Sequence, residues 1–293
     1  MTKPDHVDLT APLRWTAAHL EAPVTEVRKL EGGSTGVMLA LRSDRHHEAV
    51  LRLITEEPWR THGEALSTRE GEIQQMLATS PVPSPMSLAL DAKGDHCGHP
   101  AHLMTLLPGA VDVDRIDKTS LAALARLLAT IHDVDPTIEV RPYQSWAWQA
   151  KFVVPTWAEH PDLWSTAFDI LRTEPPSFEP LFIHRDFALR NVLWSYGSIS
   201  GVVDWVEASI GPAWLDVAHC CTNIALDHGT VAADAFAEAY SAETGQAPDA
   251  YWDVMDVVGF LPAPGRTSIV GDPAEHDRRR SLEQRLLAVI SRV

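Results

Sequence analysis

Short apolar runs dominate the first third of the chain. "VTEVRKL", "GVMLALRS" and "EAVLRLI", then "MSLAL" and "AHLMTLL", are punctuated by Gly, Pro and Asp, a pattern that predicts strands joined by turns. One stretch changes period. In "ALSTREGEIQQMLATS", Leu66, Glu70, Ile73 and Leu77 fall at i, i+4, i+7 and i+11, so they share one face of a predicted helix while Glu72 points the other way. An acid, Glu70, therefore lies on the stripe expected to be buried. After "LPGA" at residues 107 to 110 the pattern becomes helical: "SLAALARLLATIHDV", a segment from Trp157 to Leu171, "LDVAHCCTNIAL", "TVAADAFAEAYSAET", the "YWDVMDVV" stretch, and a last helix from Ser281 to Val293. Two β-like pieces break that rhythm, "LFIHRDFALRNVLW" and "SISGVVDWVEASIGPAWLD", and each apolar run ends in a carboxylate, Asp186 and Asp204. The class is α+β, a small mostly-β part before a larger mostly-α part. We divide the chain into residues 1–106 and 107–293.

The 293 residues, 45% of them apolar, are enough for a sizeable core. A net charge of -16 argues against nucleic acid, whose phosphates need clustered Lys and Arg. It suits a cationic small molecule better. No run of eighteen apolar residues occurs and the opening "MTKPDHVDLT" lacks a signal-peptide pattern, so the expected address is cytoplasmic, without a membrane partner. Three cysteines, Cys97, Cys220 and Cys221, are an odd count, read as reduced thiols. The cluster "HCGHPAH", with His96, Cys97, His99 and His102, has no strong zinc spacing and follows the turn-like "DAKGD".

Eighteen residues separate Asp186 from Asp204, and Asn191 lies five beyond Asp186. That set supplies one carboxylate to meet a hydroxyl proton and two oxygen ligands for a hard cation such as Mg²⁺. Phosphoryl transfer needs such parts, because positioning and charge around the phosphates do most of the work. His184, Arg185, Asp186 and Asn191 reproduce the H-R-D-x-x-x-x-N loop of protein kinases, and Asp204 in "VVDW" stands where their D-F-G Asp stands. From Leu30 to about Ile224 the chain resembles the aminoglycoside phosphotransferase and choline kinase family of small-molecule kinases.

The resemblance implies a protein-kinase-like two-lobe fold: an N-terminal nucleotide-binding lobe with an antiparallel sheet and one main helix, ending in a hinge, and a helical C-terminal lobe for catalysis and acceptor binding. It implies ATP or GTP with Mg²⁺ as cofactors. Asp186 would be the catalytic residue, Asn191 and Asp204 the metal ligands. "LEGGSTGV" is similar to the phosphate-covering loop, which assigns Gly32, Gly33, Ser34 and Thr35 to the nucleotide. Arg52 occupies the position of the phosphate-binding basic residue, with Glu70 as its partner, and Thr105 to Leu107 would meet the adenine edge. Asp216 corresponds to the acid that braces the catalytic loop, although it also suits a helix N-cap.

The chain departs from the kinase pattern in three places. Arg replaces the usual Lys at 52, and a guanidinium can clamp phosphate or Glu70 in a bidentate way. "EGGSTG" lacks the full G-x-G-x-x-G spacing. Only eleven residues lie between Asp204 and Asp216, with no A-P-E segment, which favours a small-molecule hydroxyl acceptor over a protein. Aminoglycosides, macrolides, choline-like amines and amino sugars all stay open, as does a role in antibiotic resistance or in metabolism. Glu207, Asp253 and Asp256 are the acceptor-site candidates, expected near the cleft mouth. Homodimerisation stays open, and the alternative function is a catalytically silent nucleotide-binding scaffold of the same fold.

Overall fold

The computed structural model describes residues 7–31, 35–262 and 275–292. The chain forms two compact units. The first contains residues 1–109 and returns for 200–206; the second contains 110–199 and 207–293. The division is therefore not a single cut near 106, because the segment carrying Asp204 packs with the first unit.

Unit 1 begins with α1 (Thr10–His19), which the apolar pattern did not announce, and continues with β1 (Val24–Leu30), β2 (Gly36–Ser43), β3 (Glu48–Ile54), α2 (Gly63–Leu77), β4 (Ser87–Asp91) and β5 (Ala101–Thr105). The strands form one antiparallel sheet of order β1-β2-β3-β5-β4. Strand alternation separates its faces. Leu39, Leu41, Ala49, Leu51, Leu53, Ala101 and Leu103 pack with Trp15 and Leu20, so α1 belongs to the core on one side. Arg52, His102 and Met104 belong to the alternate set, and their side chains meet Glu70 and Gln74 of α2. Ten residues with a Pro in the first turn and Ala at 11, 17 and 18 give α1 too little periodic signal to be read locally.

Unit 2 runs through β6 (Ala110–Val111), α3 (Lys118–His132), α4 (Pro161–Leu171), β7 (Leu181–Ile183), β8 (Val192–Ser195), β9 (Ser198–Val202), β10 (Ser209–Gly211), α5 (Ala213–His228), α6 (Thr230–Thr244), α7 (Ala250–Gly259) and α8 (Glu275–Ile290); β9 ends in unit 1. Asp117 caps α3 by accepting from the N–H groups of Thr119 and Ser120, a contact typically worth ~1 kcal/mol. Nearly all of α5 is buried, which matches a helix apolar on most sides. Antiparallel pairing of β7 with β10, Ile183 opposite Ser209, fixes the point at which the chain leaves the sheet into the His184–Asn191 loop. The architecture is the protein-kinase-like α+β fold that the resemblance implied. Among the described residues no helix is long and apolar enough to cross a membrane. Cys97, Cys220 and Cys221 are free and buried.

Candidate active site

In unit 1 the sheet register assembles a charged group. Arg52 in β3 stands directly opposite His102 in β5, so the two side chains leave the same face and both reach Glu70 on α2. Arg52 Nη1 lies 3.2 and 3.3 Å from the two Glu70 carboxylate oxygens, and His102 Nδ1 lies 3.1 Å from Oε2. The same Nη1 donates to Asp204 Oδ1 at 3.0 Å, while Nη2 donates to Thr35 Oγ1 at 3.1 Å. Burial alone would raise the Glu70 pKa, but the Arg52 charge and the His102 hydrogen bond hold it well below the usual carboxylate range. For Arg52 burial works against the charge and Glu70 and Asp204 outweigh it, so the guanidinium stays protonated. Its Nε is buried with no hydrogen-bond partner. Asp204 has a left-handed backbone, φ 66, sparsely populated for a non-glycine residue and a mark of functional sites. Its side chain is 39% exposed.

In unit 2 the loop is held from beneath by α5. Asp216 Oδ2 accepts the His184 N–H at 2.7 Å and Oδ1 the Arg185 N–H at 2.6 Å; His132 Nε2 lies 3.2 Å from Oδ2. Arg185 takes φ 70 there, a strained conformation that these two bonds fix. Asp186 Oδ1 receives His219 Nε2 at 2.9 Å and Arg190 Nη2 at 2.5 Å, and Oδ2 receives Asn191 Nδ2 at 3.0 Å. Burial would raise the Asp186 pKa; the hydrogen bond and charge of His219, with Arg190 and His184, outweigh it and hold the carboxyl far below its ordinary value. Asn191 Nδ2 also donates to the Asp186 carbonyl at 2.8 Å, so the amide nitrogen is committed and the oxygen is the atom suited to a hard cation.

A match to the phosphotransferase enzyme family spans residues 26–256, most of the chain. The chain belongs to that family. It is 34% identical over 62 residues to an aminoglycoside 3'-phosphotransferase of Enterococcus faecalis, an alignment that covers 21% of this chain and about a quarter (24%) of that protein. Among solved structures it is similar to a thermostable variant of aminoglycoside phosphotransferase APH(4)-Ia in a ternary complex with ADP and hygromycin B, with TM-score 0.66, 16% identity and coverage of 96% of this chain and 98% of that one. It is also similar to the macrolide 2'-phosphotransferase MphH of Brachybacterium faecium, with TM-score 0.63, 19% identity and coverage of 94% and 97%. At those identities the likeness is one of fold.

Within this member of the family, Thr35, Arg52, Glu70 and Asp204 meet in unit 1, and Asp186 meets Asn191 in unit 2. Gly32, Gly33 and Ser34 lie outside the described residues. Thr105 has its N–H donated to the Met86 carbonyl and its Oγ1 accepting from Met86 N, so it has no free amide for an adenine edge. Leu107 packs against Gly201, where a Cβ would come 2.4 Å from the end of its side chain, so a larger residue at 201 would make Leu107 shift. Glu207 is partly buried and bound to Arg141, 2.5 Å from Nη2.

Two expectations need correction. Asp253 and Asp256 do not face an open surface: both are buried. Asp253 pairs with Arg285 of α8 at 2.8 Å, and Asp256 Oδ1 takes His219 Nδ1 at 2.9 Å. The helix that carries them is packed on both sides, which an i, i+3 spacing cannot reveal. Asp216 is not an N-cap either; Pro212 occupies that position, and Asp216 lies in the first turn of α5. Arg190, His132, His102 and His219 carry no site role in the sequence pattern, and two of them are instructive. His102 was visible only inside a cluster judged against zinc spacing. His219 carried no local signal, but Asp216, His219 and Asn223 fall at i, i+3 and i+7, one helical face, and that polar stripe inside an apolar helix was available to be read.

Proposed function

We propose that this protein transfers the γ-phosphate of ATP, or GTP, to a hydroxyl of a small molecule, with an aminoglycoside- or macrolide-like acceptor favoured. The observation that carries the reading is the state of Asp186. A carboxylate has about four acceptor positions; Oδ1 has two donors and Oδ2 has one. One position on Oδ2 remains for a hydroxyl.

Held so strongly ionised, Asp186 is a weak base. That suits a loose transition state, in which little proton removal is needed before the phosphoryl group moves. Asp186 aligns the hydroxyl through Oδ2 and takes its proton late, when the forming P–O bond has made it acidic. Arg52, with Nη1 and Nη2 anchored, supplies the positive charge for phosphate oxygens. Asn191 in unit 2 and Asp204 in unit 1 each carry an oxygen of the kind Mg²⁺ takes, and the ion when bound would offset phosphate charge. The net charge of -16 and the acceptors named for the similar structures support a basic, hydroxyl-rich acceptor.

The test is a turnover panel of aminoglycosides, including hygromycin B, and macrolides with MgATP and MgGTP, run beside Asp186→Asn. Phosphorylation of at least one acceptor and a loss of ~10²–10⁴ in kcat for the variant are expected. Near-normal turnover by Asp186→Asn refutes the assignment, and nucleotide binding without turnover on any hydroxyl favours a silent scaffold.

A further inference from the structure

We propose, on the reading that Asp186 meets the acceptor hydroxyl, that His219 is a positioning residue of the reaction: its ring, anchored by Asp256, sets the Asp186 carboxylate so that Oδ2 faces the acceptor. The bridge is continuous and buried. His219 Nδ1 lies 2.9 Å from Asp256 Oδ1 and Nε2 lies 2.9 Å from Asp186 Oδ1. His219 and Asp256 are 2% and 1% exposed.

A neutral imidazole has one N–H and can donate to only one of two carboxylates, whereas the imidazolium donates to both. Burial alone would favour the neutral ring, but Asp256 and Asp186 together outweigh it and raise the His219 pKa. The charged groups around the ring are consistent with that charge, whereas the Asn223 Nδ2 amide, 3.1 Å from Nε2 and donating to the His219 carbonyl at 2.9 Å, is a donor that competes with a proton on Nε2. Arg185 Nη1 approaches the same Asp256 oxygen only at 3.9 Å, with its guanidinium stacked 3.8 Å from the Trp146 ring centroid. Arg190 shares Asp186 Oδ1 and is tied by Nη1 to Asn223 Oδ1 at 2.6 Å; the Lys151 ammonium, attracted by Asp256, donates to the Gly259 carbonyl. The ring plane is fixed without hydrogen bonds, edge-on to Trp146 at 5.2 Å and stacked on Phe260 at 5.5 Å.

The arrangement also explains why α5 carries Asp216, His219 and Asn223 on one face. Asp216 holds the loop backbone, His219 the carboxylate, and Asn223 the arginine that shares it. Without His219, Asp186 Oδ1 would keep only Arg190, whose side chain is 46% exposed, and the carboxylate would lose its one buried donor on that oxygen while Asn191 still held Oδ2.

The experiment pairs kinetics with nitrogen-15 NMR of histidine-labelled protein. In the parent, the His219 ring should show two protonated nitrogens at pH 7.5, and Asp256→Asn should abolish that signature. With MgATP and the acceptor that turns over best in the panel, His219→Gln and Asp256→Asn should each lower kcat about 10–100-fold. Nucleotide KM should stay within about twofold, and the double variant should be little worse than either single one because the residues act as a unit. The parent should lose kcat as pH rises through the His219 titration, and His219→Gln should lack that limb. A singly protonated ring in the parent at pH 7.5 overturns the proposal. So does a His219→Gln enzyme with unchanged kcat and pH profile, or one whose losses in kcat, nucleotide KM and melting temperature move together as for general unfolding. If Asp186→Asn retains turnover, the role of Asp186 on which this inference rests fails; if Asp186→Asn is inactive and His219→Gln normal, only this inference does.

Discussion

Arg52 Nη1 lies 3.0 Å from Asp204 Oδ1, although 152 residues separate the two in the chain. The same nitrogen also serves Glu70. A buried guanidinium thus links strand, helix and the returning 200–206 segment within one compact unit, and its removal should be felt at all three.

Arg52→Met and Glu70→Leu should each destabilise the fold, by up to the ~3–5 kcal/mol typical of a broken buried pair, because each leaves the other charge buried with fewer partners: His102 for Glu70, and Asp204 with Thr35 for Arg52. The double variant should cost less than the sum of the two, with a coupling on the order of 1–3 kcal/mol. Urea denaturation of the four proteins measures it, and additive losses would show that the pair does not act as one.

Asp204→Ala should abolish the Mg²⁺ dependence of nucleotide affinity while leaving weak metal-free binding, because it removes a carboxylate ligand but leaves Arg52 Nη1 on Glu70. Titration calorimetry with ATP, with and without Mg²⁺, decides this. Equal metal responses in parent and variant would remove Asp204 from the ligand set.

Acid should weaken the fold through Glu70. Its carboxyl is buried, which raises its pKa, but Arg52 and His102 depress it from 4.5 to about 2. A depressed folded value means stabilisation that is fully present above about pH 4.5 and lost as the pH falls towards 2. The contribution is on the order of 3 kcal/mol at most. Melting temperatures of the parent should therefore drop more steeply between pH 5 and 3 than those of Glu70→Gln. Parallel curves would contradict the depressed value.

Asp253→Ala should act on stability and not on acceptor binding, since it uncovers Arg285, which is 1% exposed and which Asp253, against burial, helps to keep charged. A loss of ~3–5 kcal/mol corresponds to roughly 10 °C in a chain of this size. Acceptor KM should be unchanged. A large KM increase with an unchanged melting temperature would return Asp253 to the acceptor site.

Much of this protein is legible in its sequence, for reasons that are local. Strands β2 and β3 follow their apolar runs because each run fills a pleated face, β1 is a mostly exposed strand marked by its β-branched residues and flanking turns, and helical period alone places Glu70 inward. Asp186, Asn191 and Asp204 stand out because phosphoryl transfer needs oxygen ligands and a carboxylate at short, fixed spacings. Tertiary structure decided the rest. Only the β3–β5 register puts His102 beside Arg52, and only packing on both sides of α7 turns Asp253 and Asp256 from apparent surface acids into buried partners of Arg285 and His219. Residues 200–206 join unit 1 through contacts such as Val202 N to the Pro83 carbonyl and Arg69 to the Val206 carbonyl. Periodicity reports which way a side chain points on its own element. What it meets there depends on contacts between residues far apart in sequence, and for His219 those contacts are two carboxylates 33 and 37 residues away.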